Sequence, residues 1–309
     1  MTWTYRPSHH VPYQDLDALE RCRRITREQI AEHPNPDFKI HVDEAPQLVL
    51  MWLNDMFTRI KQSDDEDRRV VLLLPNPAPI YKQLAYLINA HRVSCRNVVI
   101  FALDEYANEH GEIAPDTWEF GFIHSLLRFL HERIDPDLRM PREQIIGPTD
   151  QNINDYSKLL EDHGEADCCY SGPGWTGHLA FIEPDAPEFD APLDEWRTFG
   201  ARVCTLSPFT LAQNSLHGCF GKSGDLARVP PKAATIGPRD VIKAKNRIDM
   251  SAITVHGTST SWQRLVTRLA AHGPVTPKLP TSIHQELRTN FWISEDNAAN
   301  IETDWSKGY

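Results

Sequence analysis

Ser171-Gly172-Pro173-Gly174-Trp175-Thr176-Gly177-His178 presents a histidine on a glycine-rich turn, and the carboxylate Glu183 follows five residues later. Glycines let backbone approach a ligand closely and adopt positive φ. A histidine beside a carboxylate makes an acid/base that works near neutral pH. The same pair also reads as a satisfied structural contact, so this segment alone leaves catalysis and packing both open. A second segment, Arg96 to Tyr106, is a short apolar run that ends in Asp104-Glu105. It reads as a buried parallel strand whose C-terminal end presents carboxylates. A third, Arg69 to Leu74, is another buried strand that runs into the tight loop Pro75-Asn76-Pro77-Ala78-Pro79. Three strand ends carrying polar loops are enough for one crevice.

The elements that must position these loops recur as strands with helical patterns between them, which predicts an α/β fold with a mostly parallel sheet. A strand is predicted at Phe38–Val42, and a helix over 46–61 with Leu48, Met51, Trp52, Met56 and Ile60 on one side. A helix is predicted over 118–134, a solvated acidic loop over 63–67, and a lid or surface loop over 206–232. Residues 1–36 read as an N-terminal extension with a polar helical pattern that the His33-Pro34-Asn35-Pro36 break closes. Residues 37–300 read as a single catalytic α/β domain and 301–309 as a tail.

Taken in this order, the three segments resemble the glucosamine-6-phosphate deaminase/isomerase family, which is related to 6-phosphogluconolactonase. Asp104-Glu105-Tyr106 matches the family's Asp-Glu-Tyr segment. Gly172 to Pro184 matches its Gly-x-Gly-x-Asp-Gly-His-x-Ala-Phe-x-Glu-Pro motif at every fixed position but one. Pro280 to Gln285 with the strand Asn290–Ile293, and Ala234-Thr235-Ile236-Gly237, look like its C-terminal part. The resemblance covers roughly residues 37–300 and implies a three-layer, Rossmann-like, mostly parallel sheet with helices on both faces, of the deaminase/ribose-phosphate isomerase/CoA-transferase kind. It implies that Asp104 moves a proton between sugar C1 and C2, that His178 opens the pyranose ring and that Glu183 partners His178. The implied substrate-binding residues are Asn76, Ala78, Glu105, Gly172, Gly174, Trp175, Thr176 and Gly177.

The sequence departs from the family beside His178 and, more severely, at the anchor for the sugar phosphate. Thr176 stands where the family has an aspartate, which removes a negative charge beside His178. Asn76-Pro77-Ala78-Pro79 replaces a hydroxyl-bearing phosphate loop. Prolines have no N–H, so this loop offers an anion at most the N–H groups of Asn76 and Ala78. Leu216 follows Asn214-Ser215 where the family has arginine, and Gly257 to Trp262 carries no lysine. Three contacts changed together point to a substrate without the 6-phosphate. Lys222, Arg228 and Arg239 are the candidate replacement cations.

The expectation is an isomerase, deaminating or not, that acts on an amino sugar or related sugar through an enediol. The alternatives are a sugar lactone hydrolase, against which Phe181-Ile182-Glu183-Pro184 speaks, and a non-catalytic sugar-binding or regulatory protein. The partner is a small-molecule sugar; the net charge of −11 argues against nucleic acid and anionic membranes. No cofactor and no metal are expected, since there is no nucleotide fingerprint and His9-His10 lacks further ligand spacing. The six cysteines form no C-x-x-C pair and read as buried free thiols. Cytoplasmic residence is expected from the lack of a signal pattern at Met1 to Pro7. A homo-oligomer stays open, because the family includes monomers and larger assemblies.

Overall fold

The computed structural model describes residues 3, 5–75, 79–254 and 258–306. The described strands are β1 (Phe38–Asp43), β2 (Val70–Leu74), β3 (Val98–Ala102), β4 (Asp104–Ala107), β5 (Ile145–Ile146), β6 (Cys168–Ser171), β7 (Arg202–Thr205), β8 (Lys232–Thr235), β9 (Arg247–Ser251) and β10 (Thr289–Ser294). Seven of them form one sheet in the order β1-β10-β9-β6-β2-β3-β5, with every neighbouring pair parallel. The other three form a small antiparallel sheet, β4-β8-β7.

The main sheet is covered on both faces, and the sequences of β2 and β3 say why. Both are wholly buried, and alternate side chains point to opposite faces. Val70, Leu72, Leu74, Val98 and Ile100 join Leu48, Trp52, Met56 and Ile60 of the helix Ala45–Asp65. Val71, Leu73, Val99 and Phe101 join Tyr156 and Leu160 on the other face. Because the strands run parallel, the loops after β2, β6 and β9 leave from the same edge, and the glycine-rich loop is the one after β6.

Three predicted elements differ in extent. The helix expected over 46–61 runs Ala45–Asp65, with Pro46 in its first turn. The start of the expected acidic loop is therefore its last turn, where Ser63 is buried. The helix expected over 118–134 is Phe122–Phe129, followed by a short 3₁₀ turn at His131–Arg133. Gly121 is extended and its N–H donates to Trp118 O at 2.9 Å, so the first residues of that stretch close a turn instead. The 206–232 region is neither lid nor plain loop at its start, since Pro208–Ser215 is a helix with Thr210, Gln213, Asn214 and Ser215 buried.

The N-terminal segment packs onto the rest of the molecule. Asp15 caps the helix Leu16–Arg23 by accepting from Ala18 N–H at 2.9 Å. Tyr13, Leu19 and Cys22 pack with Val266, Leu269 and Leu279. Fully buried Arg268 donates to the carbonyls of Ile25, Asn297, Ala298 and Ala299, tying both ends of the chain to one helix. All six cysteines are free; five are buried and Cys219 is exposed. Among the described residues no helix is long and apolar enough to cross a membrane.

Candidate active site

The loop after β6 can hold His178 only because of its glycines. A Cβ on Gly174 would lie 1.9 Å from His178 Nε2, so only glycine lets the ring sit there. Gly177 has φ +83°, which a side chain disfavours, and a Cβ there would meet Leu279 Cδ1 at 2.2 Å. A Cβ on Gly172 would meet the backbone oxygen of Met250 in β9 at 2.6 Å. Thr281 N–H donates to Gly177 O at 3.0 Å, and Gln213 Oε1 accepts from Trp175 N–H at 2.8 Å, so the loop is pinned from both sides.

His178 is buried, and its Nδ1 lies 3.2 Å from Thr176 Oγ1, 3.0 Å from Thr210 Oγ1 and 3.3 Å from Glu183 Oε1. Thr176 donates its one hydroxyl proton to Glu183 Oε2 at 2.9 Å. With that proton spent, the Thr176 oxygen can only accept from the ring, and with Thr210 Oγ1 as a second acceptor this arrangement suits the tautomer that carries its proton on Nδ1 and leaves Nε2 with its lone pair. Nε2 has no hydrogen-bond partner among the described residues. Glu183 Oε1, though 3.3 Å from Nδ1, lacks the alignment of a hydrogen bond and acts as a nearby charge.

Asp104 opens β4, in register with Thr235 of β8. The hydroxyl of Thr235 accepts from Phe181 N–H at 3.1 Å, so this register places the Asp104 strand against the His178–Glu183 loop. The carboxyl of Asp104 is buried and its Oδ1 has no partner. Burial, and then the charge of Glu105, pushes its pKa well above the usual carboxylate range. The Glu105 carboxyl is pushed up to about 7 by burial, against the opposing pull of backbone N–H groups. Both of its oxygens are engaged: one accepts from Tyr106 N–H and the other from Ile123 N–H, both at 2.9 Å, at the start of the helix Phe122–Phe129. Glu105, expected to bind substrate, thus serves that helix's N-terminus.

Of the other expected site residues, Trp175 is 42% exposed, whereas Thr176 and Gly177 lie within the loop beside His178. Asn76 and Ala78 lie outside the described residues, as does Gly257. Leu216 directly follows the helix Pro208–Ser215. Of the candidate cations, Arg239 pairs with Glu161 at 3.4 Å, Arg228 lies over the Phe120 ring at 5.3 Å, and Lys222 sits in an exposed turn at φ +55°.

Sequence reasoning missed the contribution of the helix Pro208–Ser215. Thr210 bonds His178, Gln213 holds Trp175, and Asn214 donates to Tyr106 Oη at 2.9 Å. The spacing i, i+3, i+4 puts all three on one face, which was the available signal. His217 follows that helix and is pushed down to about 4, chiefly by burial and then by its nearness to His178. Ser171, Asp249, Thr281 and His284 form a further polar cluster beneath the loop. Asp249 accepts from Ser171 Oγ at 2.6 Å and from Thr281 Oγ1 at 3.2 Å, and burial pushes it up to about 6. His284, pushed down to about 3 by burial, is neutral there. All four are closed to solvent, so the cluster supports the loop and offers no nucleophile.

A mostly parallel α/β sheet with helices on both faces is the architecture of a class of solved sugar-phosphate deaminases and lactonases. Solved structures bear out the fold: a monomeric glucosamine-6-phosphate deaminase superimposes with a TM-score of 0.68 at 19% identity, covering 84% of this chain and 99% of that one. The 6-phosphogluconolactonase of Leishmania guyanensis gives 0.57 at 13% identity, covering 86% and 99%. In sequence, the glucosamine-6-phosphate deaminase of Aeromonas hydrophila is 30% identical over 254 residues, 76% of this chain and 87% of the relative. The glucosamine-6-phosphate isomerase of Candida albicans is 28% identical over 249 residues, 78% and 89%. No family model matches the chain. The chain belongs to the glucosamine-6-phosphate deaminase/isomerase family, a family of enzymes of carbohydrate metabolism.

Proposed function

We propose that this enzyme isomerises an amino sugar or a close relative through an enediol, and that its substrate carries no 6-phosphate. The observation that supports this best is the buried, unpartnered carboxyl oxygen of Asp104 beside the loop that carries an Nε2-basic His178. His178 Nε2 takes the proton of the anomeric hydroxyl and returns it to the ring oxygen as the ring opens. Asp104 then takes the proton from C2 and delivers it to C1. A desolvated carboxylate suits that step, since a raised pKa makes it a stronger base once ionised. Lactone hydrolysis has no use for such a proton shuttle, and this ranks it second.

The lack of a phosphate rests on the anchor. Leu216 replaces a cation, Thr258 to Trp262 contains no lysine, and Pro77 and Pro79 have no N–H to donate. Arg239 and Arg228 are engaged elsewhere. Turnover of glucosamine should therefore match or exceed that of glucosamine 6-phosphate in kcat/KM. A preference for the phosphate of about a hundredfold, the size that two charge-assisted hydrogen bonds give, would overturn this part of the reading.

A further inference from the structure

Beside Thr176 lies a cavity of about 210 Å³. Trp175, Phe209, Trp262, Leu265 and Leu269 wall it, and Tyr13 of the N-terminal segment joins them. The indoles of Trp175 and Trp262 lie within 20° of parallel with ring centroids 6.2 Å apart, and the Phe209 ring is 6.3 Å from Trp175. None of the described residues that line it carries a charge.

This chemistry selects its occupant. An anion in such surroundings has no partner and is strongly disfavoured. A whole sugar ring would fare badly as well: the Thr176 hydroxyl is already engaged with Glu183 and His178, which leaves the unpartnered Tyr13 hydroxyl as one partner for several sugar hydroxyls. An apolar group needs neither. A cavity of about 150 Å³ lined by Leu, Ile and Phe stays dry and takes up benzene, so a slot of about 210 Å³ holds one aromatic ring with room to spare. Position adds to the case: Thr176 lines the slot, and Trp262 ends the stretch in which the anchoring lysine is missing.

We infer that this slot binds a neutral apolar group, about one aromatic ring in size, carried by the substrate at the end of the sugar remote from C1, and that this contact anchors the substrate where a phosphate does not. The inference rests on the sugar-isomerase reading.

The test titrates the full chain by calorimetry with glucosamine, 6-O-benzoylglucosamine, glucosamine 6-phosphate and benzyl alcohol. Wild type is compared with Leu265→Trp, which plugs the slot from a half-buried position, and Trp262→Ala, which removes a wall. In wild type the benzoyl sugar should bind about tenfold or more tighter than glucosamine, the least that burying one such group gives. Both variants should lose that gain, and glucosamine should bind Leu265→Trp as it binds wild type. Benzyl alcohol should bind wild type and not the plugged variant. A benzoyl gain that is absent or survives the plug, or tighter binding of the 6-phosphate, would overturn the inference. Benzyl alcohol bound and lost as expected, with no response to any sugar, would sink the isomerase reading and the substrate assignment with it, while upholding the slot as an apolar-ligand site.

Discussion

Thr176 has one hydroxyl proton, and Glu183 takes it at 2.9 Å. Under the proposed mechanism that direction makes the threonine a link between Glu183 and Nδ1 of His178, which orients the ring. Thr176→Val keeps the shape and removes the link. It should lower kcat about 10²-fold, at the low end of what positioned acid/base catalysis contributes, with KM little changed, in steady-state kinetics on the preferred sugar. Asp104 carries a separate, pH-dependent cost. Because its folded-state pKa is raised by burial, the folded protein holds that proton more tightly than the unfolded chain does. The stability this confers is full below about pH 4, the ordinary value, and is lost as pH rises through the folded-state value. Asp104→Asn removes the ionisation. Thermal melts should show it about 2–4 °C above wild type near pH 8, with the gap closing toward pH 4. A gap that widens in acid would contradict the assignment.

At the scale of elements, the site is set where two sheets meet. β3 ends at Ala102, Leu103 N–H donates to Leu74 O at 2.9 Å, and Leu103 O accepts from Ile236 N–H at 2.8 Å, after which β4 runs in the small sheet. Glu105 fixes the next helix to that junction. Glu105→Ala would leave the Tyr106 and Ile123 N–H groups buried without partners, and should cost about 2–4 kcal/mol in urea unfolding; a loss below about 1 kcal/mol would show that the carboxylate does not hold the helix. The apolar runs of β2 and β3 and the glycine–histidine loop were legible because each is written in contiguous residues. The helix-holding role of Glu105 was not legible: it adjoins Asp104 in the chain, but alternation along β4 sends the two side chains to opposite faces, and its bonds to Tyr106 and Ile123 N–H depend on packing. The helix Pro208–Ser215 was illegible as part of the site because Thr210, Gln213 and Asn214 look like a solvated face until tertiary packing buries them.

At the scale of the molecule, parallel strands bring the loops after β2, β6 and β9 to one edge, and the small sheet adds Asp104 beside them. The ends of the chain brace this arrangement through Arg268 and the Tyr13–Cys22 segment. The fold thus follows the family, while on the proposed reading Leu216, the lysine-free stretch ending at Trp262 and the sequence Asn76-Pro77-Ala78-Pro79 depart from it at the anchor. On the proposed reading this assembly enolises a sugar through Asp104. Proton NMR in D₂O with glucosamine, its 6-phosphate and related ketoses tests it most directly, with Asp104→Asn beside wild type. Deuterium should enter C1 or C2 of an unphosphorylated sugar with wild type and stay out with the variant. Line broadening of a bound sugar without any deuterium incorporation, or equal incorporation by Asp104→Asn, would contradict it.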